Sequence, residues 1–429
     1  MAAFQHVKVI EVLIWGQRVG AVAPDPNLAA NVFEYDETWA RNGIELAPFT
    51  LPTDTATRRF VFPGLDPDAF KGLPGLLSDA LPDRFGNQLI DAWMAAHGYA
   101  PAQITAIDRL AYMGRRGMGA LEFRPARGGQ SRSAAPIQMA TLVELARKAV
   151  EGTLLGNDAS TDALNRIISV GTSAGGARAK AVLGWNPATH SLVSGQFDLP
   201  EGHEHWLLKF DGMGTDRTLG PSQQYGRIEF AYSRMAGAAG IRMSDCRLLE
   251  ESGRAHFMTR RFDRHGNDKV HVQSLCALQH MSFNLRQTHA YESLFLTAKG
   301  LRLDDDAMTQ LFRRMAFNVA ARNHDDHTKN FAFLLRPGGH WELAPAFDVT
   351  FAYDPDNVWL SQHLMSVNGR FDGITRDDLV TVADRFSIPG VDAALADVNA
   401  AVRGWGDLAS DAGISPDEIQ RIAGLHAML

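Results

Sequence analysis

The stretch ARNHDDHTKNFAFLL, Ala321–Leu335, places His324, Asp325, Asp326, His327, Lys329 and Asn330 side by side and directly against an apolar run. Burying such a cluster without partners is costly for every charge in it. The stretch is therefore either a solvated loop or a working site. Upstream, in DDDAMTQLFRRMAFNVAARN, Met308, Leu311, Phe312, Met315 and Val319 recur at helical spacing, and downstream FAFLL reads as a strand. A buried helix thus delivers the polar loop, and a strand carries the chain away.

The 429 residues, 45% of them hydrophobic, are enough for about two or three domains with cores of their own. A formal charge of −7 argues against a chain that coats nucleic acid by bulk electrostatics. Cys246 and Cys276, with no CxxC spacing, offer neither a disulfide framework nor a zinc site. The opening MAAFQHVKVIEVLIWG lacks the pattern of a signal peptide, and no apolar run reaches the length of a bilayer. A cytoplasmic protein with no membrane partner is the expectation.

The segment RPARGGQSRSAAP, residues 124–136, reads as a linker. Before it, residues 1–123 read as a small α/β domain. There VKVIEVLIWGQRVGAVAPD suggests two strands about a tight turn near Gly16, and RRFVFPGL suggests another strand. A helix is expected to start at Pro82 and Asp83, to turn Leu89, Trp93 and Met94 to one face and to stop at Gly98. Residues 137–262 read as β-rich, with strands AKAVLGW, EHWLLKF and AHFMTRRF and a helix RIEFAYSRMAGAAGI between the last two. Helices are expected to prevail over residues 263–429.

The chemistry follows from oxygen ligands. Asp348 stands between Phe347 and Val349, at what reads as an apolar strand end, where a lone carboxylate needs a cation or donor. Asp325 and Asn330 add a second carboxylate and an amide oxygen. Such hard ligands suit Mg2+, which keeps waters and takes its remaining ligands from phosphates. Phosphoryl transfer is implied. A phosphate grip is offered by SVGTSAGGARAK, Ser169–Lys180, where backbone N–H groups around Gly175, Gly176 and Ala177 can approach closely. It lacks the order of a Walker A loop. Lys209, in the apolar strand HWLLKF, is expected to reach a phosphate or a carboxylate, and Glu229 on the next helix could be that carboxylate.

The order Gly-rich loop, strand Lys, helix Glu, Asp-x-x-x-x-Asn and strand Asp is the order of parts in a protein kinase. The segments SAGGARAK, HWLLKF, RRFDR, NHDDHTKNFAF and LAPAFDVT resemble the HipA family, serine/threonine kinase toxins of bacterial toxin–antitoxin modules. The opening strands and GLPGLLSDALPDRFG resemble that family's N-terminal domain. The resemblance implies an α+β, protein-kinase-like two-lobed fold: a β-rich N-lobe, a mainly helical C-lobe and the additional N-terminal α/β domain. It implies Asp325 as catalytic base, with His327 and Lys329 on the family's D-x-H-x-K-N pattern, and Asn330 and Asp348 as holders of Mg2+. Lys209 would contact the ATP phosphates, and Phe262 and Asp263 would lie near adenine and ribose. Ser173, or its neighbour Thr172, would be autophosphorylated, expelling the loop and switching the kinase off. The implied partners are a HipB-like helix-turn-helix antitoxin, DNA mainly through that antitoxin, and a protein substrate of translation such as an aminoacyl-tRNA synthetase. The usual kinase H-R-D and D-F-G are absent.

Two rival readings remain. HDDH with His280 or His289 could form a His/Asp site of a metal-dependent phosphohydrolase, or the chain could be a non-catalytic co-repressor that only binds nucleotide. His280 and His289 read better as core or surface histidines. Asp326 reads as a loop cap or as a repelling neighbour of Asp325.

Overall fold

The hairpin expected at the start of the chain is present: β1 (Ile10–Ile14) pairs antiparallel with β2 (Gln17–Pro24). Trp15 and Gly16 form its two-residue turn with φ of 48° and 78°, the left-handed pair that matches the twist of the flanking strands. β3 (Asn31–Tyr35), β4 (Arg59–Phe60) and β5 (Leu121–Arg124) complete a sheet in the order β4-β3-β2-β1-β5. RRFVFPGL contributes only its Arg59 and Phe60 to that sheet. Phe62 instead packs edge-on against His280 at 4.5 Å, and Pro63 has no N–H to give a ladder.

These features come from a computed structural model that describes residues 6–28, 30–82, 84–96, 98–127, 135–150, 179–211 and 224–429. The chain divides into two compact units. The first comprises Met1–Asp216, Arg260–Ser282 and Leu334–His340, and the second Arg217–Thr259, Phe283–Phe333 and Trp341–Leu429. Among the described residues no helix is long and apolar enough to cross a membrane.

In the first unit the helix Arg84–Ala96 buries Leu89, Trp93 and Met94 as its spacing predicts, and Gly98 follows it at φ 88°. Asp83 lies outside the described residues. The short helices Gly75–Ser78 and Leu275–Gln279 meet backbone to backbone, since a Cβ at Gly75 would stand 2.1 Å from the carbonyl oxygen of Ala277. Asp79 accepts from both the N–H and the hydroxyl of Ser274, which caps the second helix. His280 Nε2 accepts the Gly75 N–H at 2.9 Å. The segment GLPGLLSDA is thus a dock for residues 274–280. Also in this unit, β6 (Lys180–Trp185) pairs antiparallel with β7 (Leu192–Ser194) and with β8 (Glu204–Lys209).

The second unit is mainly helical. Besides the helix Tyr225–Ala238 it holds a hairpin of β9 (Cys246–Glu251) and β10 (Arg254–Arg260). CRLLEE gives little alternation to read, yet Ser252 and Gly253, both at positive φ, make the same kind of turn as at Trp15 and Gly16. The helix Asp305–Ala320 lies at the core, with Met308, Leu311, Phe312, Met315 and Val319 all buried. Helices Arg376–Phe386, Val391–Arg403, Trp405–Asp411 and Pro416–Ala423 complete the unit.

Candidate active site

The helix Asp305–Ala320 begins at Asp304, whose side chain accepts from the Ala307 N–H, with Asp305 and Asp306 in the first turn. It ends at Arg322, which adopts a left-handed φ of 54°. The Asn323 N–H reaches back to the Asn318 carbonyl at 2.9 Å, a Schellman-type closure that stops the helix and turns the chain into the polar loop. The apolar contact usual in that closure is replaced by a hydrogen bond from Asn323 Nδ2 to Asn318 Oδ1 at 2.9 Å.

The HDDH run then divides in two. His324 and Asp326 are buried. Asp326 accepts from the Tyr291 hydroxyl at 2.8 Å, from His363 Nδ1 at 2.8 Å and from the Leu364 N–H at 2.7 Å. Asn318 Nδ2 donates to the same Tyr291 hydroxyl, so the polar chain runs unbroken from the helix end to Asp326. His324 bonds through Nδ1 to the Leu360 carbonyl at 3.0 Å, and its ring lies 4.1 Å from that of His363. Burial, with His363 next in effect, pushes the His324 pKa down to about 3. Its Nδ1 therefore carries a proton as part of a neutral ring. Asp325, by contrast, keeps 48% of its side chain exposed, with His327 Nε2 at 3.7 Å.

The remaining loop residues gather around two fixtures. Asn330 Nδ2 donates to the Asp325 carbonyl at 2.7 Å, which closes the loop and leaves the amide oxygen on the opposite side. Phe283 lies beneath the other two: Lys329 Nζ stands 4.7 Å from the centre of its ring, and the His327 ring 5.7 Å.

Asp348 does not end a strand. It sits in a bend two residues after the isolated bridge of Ala346 with Met243, and its φ is 53°. One bridge is too short a ladder to hold the chain extended. Its position is set from both ends: the Ala344 N–H bonds the Ala332 carbonyl at 3.1 Å, and Ala352 exchanges bonds with Arg322 and His324 at 3.0 and 2.9 Å. Residues 344–352 are thus tied to both flanks of the 325–330 loop, with Asp348 midway. Buried Arg314 strengthens the first tie by donating to the Ala344 carbonyl at 2.7 Å, and burial, followed by Arg242, pushes its pKa down to about 9.

Other expected site residues are carried by other elements. Glu229 is buried on the helix Tyr225–Ala238, while Arg227 and Arg234, its possible surface partners, reach Glu250 and Asp411. In the first unit, Lys209 is buried and stands directly across the ladder from buried Lys180. Phe262 is partly exposed, but Asp263 is fully buried. Its carboxylate accepts from Arg261 Nε and Nη2, from Arg264 Nη1 and from the Gly119 N–H, all within 2.8 Å. Burial alone would raise its pKa, but the two guanidinium groups hold it well below the usual carboxylate range. Three of those bonds fall on Oδ2 and one on Oδ1. Ser173, Thr172, Gly175, Gly176 and Ala177 lie outside the described residues.

The donors fit a hard cation. Asp348 and Asn330 offer a carboxylate and an amide oxygen and Asp325 a second carboxylate, with the His327 imidazole 3.7 Å from Asp325. No group of three His, Cys, Asp or Glu able to hold a metal occurs among the described residues, so the remaining ligands would come from water and phosphate. Tyr291, His363, Phe283 and Arg314 have no signature in sequence, because each meets the loop only through tertiary contact.

Residues 10–124 match the HipA N-terminal domain and residues 172–405 the HipA-like C-terminal domain. No curated protein matches significantly. Among solved structures, HipA of the Shewanella oneidensis MR-1 toxin–antitoxin system, in complex with HipB and operator DNA, is similar over 97% of this chain and 94% of that one. The identity is 17% and the TM-score 0.66. The Helicobacter pylori proinflammatory kinase CtkA covers 52% of this chain at 12% identity, with a TM-score of 0.32, a likeness too slight to carry weight. On the two domain matches, which together take in most of its length, this α+β chain belongs to the HipA family.

Proposed function

We propose that the protein is an ATP- and Mg2+-dependent protein serine/threonine kinase, the toxin of a toxin–antitoxin module. The observation that carries this reading is the tie of residues 344–352, which include Asp348, to both flanks of the 325–330 loop, which carries Asp325 and Asn330. Asp325, the accessible acid, accepts the proton of the substrate hydroxyl as its oxygen attacks the γ-phosphate. Asn330 and Asp348 would hold Mg2+, which supplies charge neutralisation to the phosphates. Lys329 and His327, steadied on Phe283, face the same loop and suit the transferring phosphoryl group. Lys209, across the ladder from Lys180, suits the ATP phosphates. Phe262 remains the candidate for the adenine.

The phosphohydrolase reading fares worse. Asp326 spends its oxygens on Tyr291, His363 and Leu364, His324 commits Nδ1 to the Leu360 carbonyl, and His280 accepts a backbone N–H in the first unit. Under the kinase reading the protein works in the cytoplasm, a HipB-like antitoxin carries the DNA contact, and the substrate is a protein of translation. Autophosphorylation of Ser173 or Thr172 would place a dianion where phosphates must dock and so turn the kinase off. The deciding experiment is incubation of the purified protein with labelled ATP and Mg2+ in cell lysate. Label on serine or threonine of a discrete protein is expected, and no transfer under any metal would overturn the reading.

A further inference from the structure

Asp325 keeps an accessible side chain, so its aim depends on the backbone of the loop that carries it. The residues on either side are locked. His324 stacks on His363 and bonds the Leu360 carbonyl, while Asp326 holds His363 and the Leu364 N–H. In the non-helical run 324–327, fixing alternate side chains inward turns the intervening ones outward. That is the observed pattern, with His324 and Asp326 buried and Asp325 and His327 exposed by 48% and 18%. Tyr291 fixes Asp326 from a second element, the helix Tyr291–Gly300.

We infer that Asp326 and His363 are positioning residues: together they clamp the catalytic loop to segment 360–364 and so set the direction of Asp325. This inference rests on the kinase reading for its effect on rate, but not for the clamp itself. Neither residue touches the reacting groups. A purely structural role would lower stability without singling out the loop or the chemical step. A positioning role slows turnover while ATP is still bound, and a side chain that restores the donor restores the rate.

The test uses the full chain with His363→Leu, which removes the donor, His363→Asn, whose amide nitrogen takes the place of Nδ1, and Asp326→Asn, which keeps shape but loses one acceptor. His363→Leu should lower kcat about 100-fold, the scale of a misplaced catalytic group, with KM for ATP within about twofold. His363→Asn should recover most of the loss. Hydrogen exchange at His324–Asn330 should quicken in His363→Leu and not in the C-terminal helices. Unchanged kcat in both His363→Leu and Asp326→Asn overturns the inference, as does His363→Asn behaving like His363→Leu. If His363→Leu fails to fold, Asp326→Asn decides, with a kcat loss of at least about tenfold expected. If the parent transfers no phosphate, the kinase reading falls and the exchange data alone decide: faster exchange confined to the loop upholds the clamp, and unchanged exchange refutes it.

Discussion

Asp263 in the first unit and Asp326 in the second are both completely buried acids, yet they are held in opposite ways. Asp263 is gripped by two guanidinium groups and one backbone N–H. Asp326 is held by a phenol, an imidazole and a backbone N–H, with no arginine or lysine paired to it among the described residues. In the first case charge is balanced on the spot, and the acid is a finished fastener. In the second the acid is fastened by hydrogen bonds, and neighbouring Asp325 keeps 48% of its side chain exposed. Under the kinase reading, a guanidinium there would compete with Mg2+ for the carboxylates.

The sharpest challenge to that distinction is a pair of substitutions. Asp325→Asn should cut phosphoryl transfer about 1000-fold while the thermal midpoint stays within a few degrees, measured by label transfer and by calorimetry. Near-parental activity would remove Asp325 from the working acids. Asp263→Ala should do the reverse. It strands Arg261 and Arg264 in the interior, at a cost of about 3–5 kcal/mol, visible as a large drop in the urea midpoint. An unchanged midpoint would mean that the ionic fastener carries no load.

Acid distinguishes the ionic fastener from the buried histidines. His205 and His271 in the first unit and His256 and His324 in the second are buried, and burial pushes their pKa values down to about 4, 3, 4 and 3. Unfolded imidazole titrates near about 6.5. Below that value the unfolded chain takes up protons that the folded chain refuses. Stability is therefore complete above about pH 6.5 and falls as pH drops toward 4, by about 1.4 kcal/mol per pH unit for each such histidine. Asp263 keeps its charge throughout that window. Urea midpoints that stay level from pH 7 to pH 5 would contradict the neutral burial of these rings. The smallest expected effect is at the first hairpin, where Gly16→Ala, at φ 78°, should cost about 1 kcal/mol and leave label transfer untouched.

What the sequence disclosed depended on how local the cause was. The helix ending at Ala320, the loop and the strand Ala332–Leu335 were legible because periodicity and polarity are written in neighbouring residues. The hairpin at Gly16 was legible for the same reason. Asp325 and Asp326, adjacent and chemically identical, were separated only by the family resemblance and not by local pattern, because the burial of Asp326 is decided by Tyr291 and His363, 35 and 37 residues away. β9 was missed because Arg247, Glu250 and Glu251 hide its alternation. Asp348 was read as a metal-holding acid at a strand end, but the bend in which it sits comes from bonds to residues 322–332, which its neighbours do not encode.

The left-handed backbone at Asp348 makes activity and durability rivals at one residue. Aspartate tolerates that conformation better than most side chains, but glycine adopts it freely. Asp348→Gly therefore removes the carboxylate that the kinase reading assigns to Mg2+ and relaxes the backbone in one step, and should melt no lower than the parent. Asp348→Val, equally inert, should melt lower, because a branched side chain is strained there. An aspartate codon becomes a glycine codon by a single base change. For a cell burdened by this protein's activity, escape is thus one nucleotide away and carries no folding penalty, and spontaneous survivors should be enriched in that change.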